Sequence, residues 1–400
     1  MFLTWFIFLV GIVLILRDIR LSNYRVLLNP FFWAVFCSIL YLIIPAFFIF
    51  EIDLYFSWGI DKDSIFFAQL LVFNFFMFLC TLYYFYPSYR LASETDNVEQ
   101  TTGVFIKILW FVICIYTCFA LYKSIQSGVL LNAFIYDFEQ DDPYKLKSIA
   151  YLLIPVSIYM FASTRNYLVF LPNLIIVALD LMNGSRTIAL IVLLPVVITF
   201  CISRKRLYAI PGFLLLAGML VLGVLRMPTG TSVGDIPWYI SALGEFRETY
   251  LTLPLYIGND SFIGVGSWDN RAAIFFQGIL QPFRSYINEG YVYGGSYMAK
   301  DIGRGYGLGS NFLIAILYYG YQYLFITIPL FAGLLVFFYH FVAKLSMVEK
   351  LVMVCLLIIF IRLIIREGLY GSLGMLCFIC MFYWLPIYIL SKIKVKNLLL

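Results

Sequence analysis

Arginine and carboxylate recur together through the later part of this chain. Arg186, Arg226, Arg247, Arg271, Arg284, Arg304, Arg362 and Arg366 are interleaved with Glu245, Glu248 and Asp269. A guanidinium stays charged, presents a planar fork and binds phosphate oxygens bidentately. A carboxylate beside such a site can take a proton from a hydroxyl group. The chemistry these types could do together is transfer of a group off a phosphorylated carrier. The bland alternative is that the arginines pair with the acids of their own stretch, Asp235, Glu245, Glu248, Asp260, Asp269, Glu289 and Asp301. Gly244-Glu245-Phe246-Arg247-Glu248 concentrates the choice. If helical, its two glutamates lie three apart, either in a solvated helix with a local ion pair or as base candidates beside a phosphate-binding arginine. Arg362 and Arg366 are spaced i, i+4 and share a helix face.

Gly290–Asn311 reads GYVYGGSYMAKDIGRGYGLGSN. Its glycines allow backbone N–H groups to approach an anion. Its tyrosines, Tyr293 and Tyr297 among them, offer a flat face and a hydroxyl to a sugar ring. A loop laid on a bilayer surface, anchored by its tyrosines and by Trp238 and Trp268, would have the same composition. Asn183-Gly184-Ser185-Arg186-Thr187 breaks two apolar runs and sets an arginine beside a helix start, a local anion site. No P-loop occurs.

Metal and redox chemistry find little here. His340 is the single histidine, so no histidine-based metal site can be assembled. The nearest acid pairs are Glu51-Ile-Asp53 and Asp61-Lys-Asp63, both in a small early loop. All eight cysteines lie in apolar runs. Cys377-x-x-Cys380 has redox or zinc spacing but sits among Leu, Phe, Ile and Met, as small apolar helix residues do.

The elements that must position these groups follow from composition. The chain has 400 residues, 63% hydrophobic and 12% charged, with a formal charge of +5. Ordinary soluble domains are about 45–50% apolar and about 25% charged. That excludes a soluble enzyme, a disordered chain and a nucleic-acid-binding module, and leaves an all-α polytopic membrane protein with lipid as its main solvent. Apolar runs predict about eleven transmembrane helices, near 1–16, 31–50, 64–86, 104–122, 148–163, 166–182, 187–203, 207–225, 320–340, 351–365 and 370–390. The first is read as a retained helix, since it lacks a basic n-region and a cleavage site.

Basic residues orient them. Arg17/Arg20/Arg25, Arg204-Lys205-Arg206 and Lys392/Lys394/Lys396 are all cytoplasmic if the N-terminus is outside. Residues 87–107 resist, with Glu94, Asp96 and Glu99 on the cytoplasmic side, but acids weigh little in this rule. The organisation is then helices one to eight over 1–225, a large external loop with short helices over 226–309, and helices nine to eleven over 310–400. So long a loop between packed helices is usually functional.

Four features resemble the O-antigen polymerases (Wzy-type oligosaccharide repeat-unit polymerases). They are the Gly184-Ser185-Arg186 turn, the Gly244–Glu248 string, the late external loop, and Gly307-Leu-Gly-Ser310 leading into Tyr318-Tyr-Gly320. The resemblance covers roughly Asn183 to Glu367. Many members carry a glutamate shortly before the last element, and here 311–317 holds no acid.

The resemblance implies a GT-C-like, polyisoprenoid-diphosphate-dependent glycosyltransferase of the bacterial inner membrane, with its site facing the periplasm. Its donor would be a growing glycan on undecaprenyl diphosphate and its acceptor a repeat unit on a second carrier. It implies no metal and no cofactor, with the arginines meeting diphosphate charge in the transition state. Glu248, Glu245 or Asp269 would be the base, and a chain-length regulator is a possible partner. An O-antigen ligase is the nearest rival, but ligases use an external histidine and His340 falls at the cytoplasmic end of its helix. A lipid-linked oligosaccharide flippase is the rival from another class; transporters usually show repeats and broken helices with midplane polar groups, and neither is evident.

Overall fold

The computed structural model describes residues 2–48, 60–91, 103–126, 135–136, 146–182, 187–208, 217–218, 221, 227–228, 245–280, 297–298 and 310–393; for Glu245, Arg247 and Glu248 the description stops at the backbone. In chain order the helices are α1 (Phe2–Ser22), α2 (Pro30–Ser38), α3 (Lys62–Phe85), α4 (Val104–Gln126), α5 (Leu146–Thr164), α6 (Leu171–Met182) and α7 (Thr187–Ser203). They continue with α8 (Glu245–Ile257), α9 (Trp268–Ile279), α10 (Phe312–Leu317), α11 (Leu324–Lys344), α12 (Met347–Glu367), α13 (Leu369–Ile379) and α14 (Leu385–Lys392). Among the described residues the only strands are a parallel two-residue pairing of Ile135–Tyr136 with Met227–Pro228. Six helical segments are long and apolar enough to cross a bilayer: Phe2–Leu28, Pro30–Phe48, Lys62–Phe85, Val104–Gln126, Tyr321–Lys344 and Leu369–Lys392. This is the all-helical architecture of a polytopic membrane protein.

Local chemistry sets the helix ends. Asn29 caps α2 by accepting from Phe31 N at 2.9 Å, with Pro30 in the first turn, where its missing N–H costs nothing. Asp61 caps α3 by accepting from Ser64 N at 2.6 Å. The α2 helix runs on through a π turn at Ile39–Ile43 and a short 3-10 turn at Pro45–Phe48. Helices also occupy the other apolar runs, except 207–225, of which only 207–208, 217–218 and 221 are among the described residues.

The first helix passes its expected end at 16 and continues to Ser22. The reason is Asp18. It is 5% exposed, and its carboxylate accepts from Ser22 Oγ (2.8 Å), Tyr83 OH (2.8 Å), Ser88 N (3.1 Å) and Ser88 Oγ. Asn29 Nδ2 in turn donates to Ser88 Oγ at 3.0 Å and to Tyr86 O at 2.9 Å. A charge that would end an apolar helix in lipid is thereby held inside the protein.

The chain divides into two compact units that do not follow sequence order. The first comprises Met1–Ala92, Leu243–Lys344 and Leu356–Phe378, the second Ser93–Ala242, Leu345–Cys355 and Ile379–Leu400. In the second, Ser157 Oγ donates to Asn173 Oδ1 at 2.8 Å, joining α5 to α6, and Trp110 Nε1 on α4 donates to Val169 O at 3.0 Å. Lys392 Nζ stands 2.7 Å from Glu349 Oε1.

The first unit holds the described candidate residues. Its α3 spans about 36 Å at 1.5 Å per residue. The α3 end at Tyr83 meets Asp18, close to Arg17, whose guanidinium lies 4.4 Å from the Tyr84 ring. The opposite end, at Ser64, lies against Gly258, where a Cβ would come 2.8 Å from Ser64 Oγ. Between them α8 is buried at Phe246, Thr249, Tyr250, Leu251, Thr252, Leu253, Leu255 and Tyr256. Consecutive buried positions cover every face of a helix. Part of the 226–309 stretch is therefore helix packed among helices.

Candidate functional site

Two arginine centres form in the first unit. The first is built on Tyr41, in the π turn after α2. Its phenol oxygen accepts from Arg362 Nε at 2.8 Å. Its ring lies against Phe246 with centroids 4.7 Å apart. Its carbonyl accepts from Thr249 Oγ1 at 3.1 Å. One residue thus fastens Arg362, which is 6% exposed on α12, to the helix that carries Glu245, Arg247 and Glu248. Thr249 is also held by Asn311, whose Nδ2 donates to Thr249 O at 2.6 Å while its Oδ1 accepts from Ile314 N at 3.0 Å to cap α10.

The second centre is Arg271, on α9 and 3% exposed. Its guanidinium carbon lies 4.0 Å from the ring centroids of Tyr319 and Tyr323, 4.1 Å from Trp268 and 5.0 Å from Tyr370. Nη1 donates to Tyr370 OH at 3.2 Å, and Nε is buried without a hydrogen-bond partner. Aromatic faces, negative at their centres, offset the burial of a cation by about 0.5–2 kcal/mol each. Among the described residues no carboxylate pairs with Arg271.

Glycines make this cage close. Gly264 N and Gly266 N donate to Leu317 O (3.1 Å) and Tyr318 O (2.7 Å), laying the strand of chain before α9 on the end of α10. A Cβ at Gly266 would meet the Tyr319 ring at 2.5 Å. Gly368, at φ +104, separates α12 from α13 with its α-carbon against Ala315, and so sets Tyr370 beside Arg271. Farther along, Gly278 of α9 and Gly374 of α13 cross backbone to backbone, as small residues allow in membrane helices.

Two phenols beside the cage are held above their ordinary range. Burial, then neighbouring tyrosines, push Tyr256 well up, and burial followed by Tyr297 raises Tyr318. Tyr256 OH donates to Phe262 O at 2.8 Å, and Asn270 Nδ2 donates to Tyr318 OH at 3.0 Å.

The remaining candidates are distributed as follows. Asp269 is exposed in the first turn of α9. Tyr297 packs edge-on to Phe262 with centroids 6.0 Å apart and lies 5.9 Å from the Tyr318 ring. Arg366 pairs with Glu367 at 3.2 Å. Arg186, Arg226, Arg284, Arg304 and Tyr293 lie outside the described residues, as do the side chains of Glu245, Arg247 and Glu248. Tyr41, Thr249, Asn311, Tyr319, Tyr323 and Tyr370 carry the geometry and were not candidates on sequence grounds. The available signals were Trp268 and Arg271 at i, i+3 on one helix, and the tyrosine pair before Gly320.

His340 lies toward the far end of α11 from Tyr323, about 25 Å along the helix. It packs edge-on to Tyr86 and Tyr339 at 5.9 and 5.5 Å, at the Asp18 end of the unit. No protein-family model, curated protein or solved structure matches this chain.

Proposed function

We propose that this chain is a metal-independent membrane glycosyltransferase. It polymerises undecaprenyl-diphosphate-linked repeat units into O-antigen or a similar surface polysaccharide at the periplasmic face of the bacterial inner membrane. Eleven crossings and a large external loop between the eighth and ninth belong to this reading. The observation that carries it is the junction at Tyr41. There the buried Arg362 and the helix bearing Glu245, Arg247 and Glu248, 115 residues or so earlier in the chain, share one anchoring residue. Arginine and carboxylate are the pair that such a transfer uses.

In the proposed reaction an acceptor sugar hydroxyl attacks the anomeric carbon of the donor glycan. The new C–O bond forms as the bond to the diphosphate oxygen breaks. Glu248, Glu245 or Asp269 takes the hydroxyl proton, and undecaprenyl diphosphate leaves with its charge met by arginines. The sidedness draws support from Arg17, Arg20, Arg25 and Arg90 clustering at the end of the first unit opposite Arg271.

The test is a strain deleted for the chain and complemented with R362A, R362K, R247A and E248Q, read as a lipopolysaccharide ladder on a gel at matched protein level. Lipid A-core capped with single repeat units is expected for R362A. Long polymer from every variant would sink the reading. Core lacking any repeat unit in the deletion strain would point instead to a ligase or flippase.

A further inference from the structure

A groove between α1 and the end of α3 lies apart from both arginine centres. Leu14, Arg17, Asp18 and Leu21 of α1 line one side, with Tyr84 and Pro87 opposite. Arg17 is exposed, and its guanidinium carbon lies 4.4 Å from the centroid of the Tyr84 ring. Arg20, three residues on and on the same side of the helix, is also exposed. Among the described residues neither arginine has a hydrogen-bond or carboxylate partner. Arg90 adds a cation next to Tyr84, its Nη1 donating to Phe85 O at 3.3 Å. The acid in the groove, Asp18, is buried, and its carboxylate is taken up by Ser22, Tyr83 and Ser88. Positive charge is therefore in excess.

An apolar strip leads away from these cations. From Leu14 the same side of α1 continues in steps of four through Val10 to Phe6, whose ring lies 6.2 Å from that of Phe73 on α3. Phe6 to Arg17 is about 16 Å along the helix, or one leaflet of a hydrocarbon core about 30 Å thick. Leu9, Val13 and Leu16 beside the strip are exposed, as lipid-facing residues are.

We propose that this groove binds one anionic phospholipid, with its phosphodiester on Arg17 and Arg20 and an acyl chain along Leu14, Val10 and Phe6. Guanidinium donors match phosphate oxygens. Tyr84 holds Arg17 in place beforehand, so less freedom is lost on binding. A zwitterionic lipid has the same phosphate but carries a cation that the arginines repel, so the excess charge selects an anionic headgroup. Free phosphate lacks the chain that the strip accommodates. The assignment is independent of the glycosyl-transfer reading, and its test needs no turnover.

The test is the thermal midpoint of the full chain in nonionic detergent micelles, titrated with dioleoylphosphatidylglycerol, dioleoylphosphatidylcholine or inorganic phosphate at equal ionic strength. A saturable rise is expected with phosphatidylglycerol, a smaller one with phosphatidylcholine and none with phosphate. R17A and R20A should each weaken the apparent affinity for phosphatidylglycerol about fivefold, and the pair together about twentyfold. Each variant is compared with itself without lipid, so a lower starting midpoint does not matter; if R17A does not fold, R20A carries the comparison. R206A, in the other basic turn, should bind as the wild type does. An equal rise with phosphatidylcholine, a rise with phosphate, no rise with any of the three, unchanged affinity in R17A and R20A, or an equal loss in R206A would each overturn the assignment.

Discussion

Tyr41 and Arg362 lie 321 residues apart in the chain and 2.8 Å apart in the fold, phenol oxygen to guanidinium Nε. The same tyrosine holds α8 through its carbonyl and its ring. Removing its hydroxyl therefore separates two roles. Y41F keeps the ring against Phe246 and withdraws a partner from a buried charge, a loss of about 1.5–3 kcal/mol. Long polymer should fall about tenfold or more at near-normal protein level. A normal ladder from Y41F would mean that Tyr41 does not position Arg362 for function.

Asp18 should govern folding rather than turnover. Its four donors belong to Ser22, Tyr83 and Ser88. D18A would leave these groups buried without an acceptor, at a cost of about 1–3 kcal/mol for each one left unsatisfied. D18N keeps one acceptor oxygen and should be intermediate. The readout is the monodisperse fraction after detergent extraction, and equal yields for the wild type and D18A would refute the role.

Gly368 combines a left-handed backbone with a close approach. At φ +104 any side chain is strained, and a Cβ would overlap that of Ala315. G368A should cost about 1–3 kcal/mol from the backbone alone, with the overlap in addition. Adding A315G relieves the overlap and leaves the backbone strain. A double-mutant cycle on the thermal midpoint should therefore show partial rescue; full additivity would show that the two sites do not touch.

The α3 cap should weaken in acid. Hydrogen bonds from Ser64, first its side chain and then its N–H, hold the Asp61 carboxyl below its ordinary value. A folded pKa below the unfolded one gives a contribution present above the unfolded value and lost as pH falls through the folded one. Amide exchange at Ser64 should be slower in the wild type than in D61A at neutral pH, with the two converging near the acid limit. A difference that persists below the folded pKa would exclude the carboxylate as its source.

The helices were legible because lipid leaves few options. Long apolar runs must be helical to satisfy their backbone, and Asn29-Pro30 and Asp61 mark starts by their own chemistry. The extension of α1 was not legible, since Asp18 reads as a terminator until Tyr83 and Ser88 are seen around it. The site was legible by residue type only. Arg271 and Arg362 stand out as arginines, whereas nothing in a chain with 31 tyrosines singles out Tyr41 or Tyr370. Their roles come from contacts across 99 and 321 residues, which no local pattern encodes.

The interleaved order of the first unit bears on how the chain is made. Met1–Ala92 belongs with segments that begin only at Leu243 and end at Phe378. At roughly 5–20 residues per second, Tyr41 emerges about 15–60 s before Arg362. The contacts that α1, α2 and α3 make with one another, the Asp18–Tyr83–Ser88–Asn29 network among them, need no segment made in that interval. Ribosome pausing or a membrane insertase acting in that interval would bear on yield more than any later step, and substitutions at Asp18 should respond to synthesis rate where substitutions at Arg362 should not.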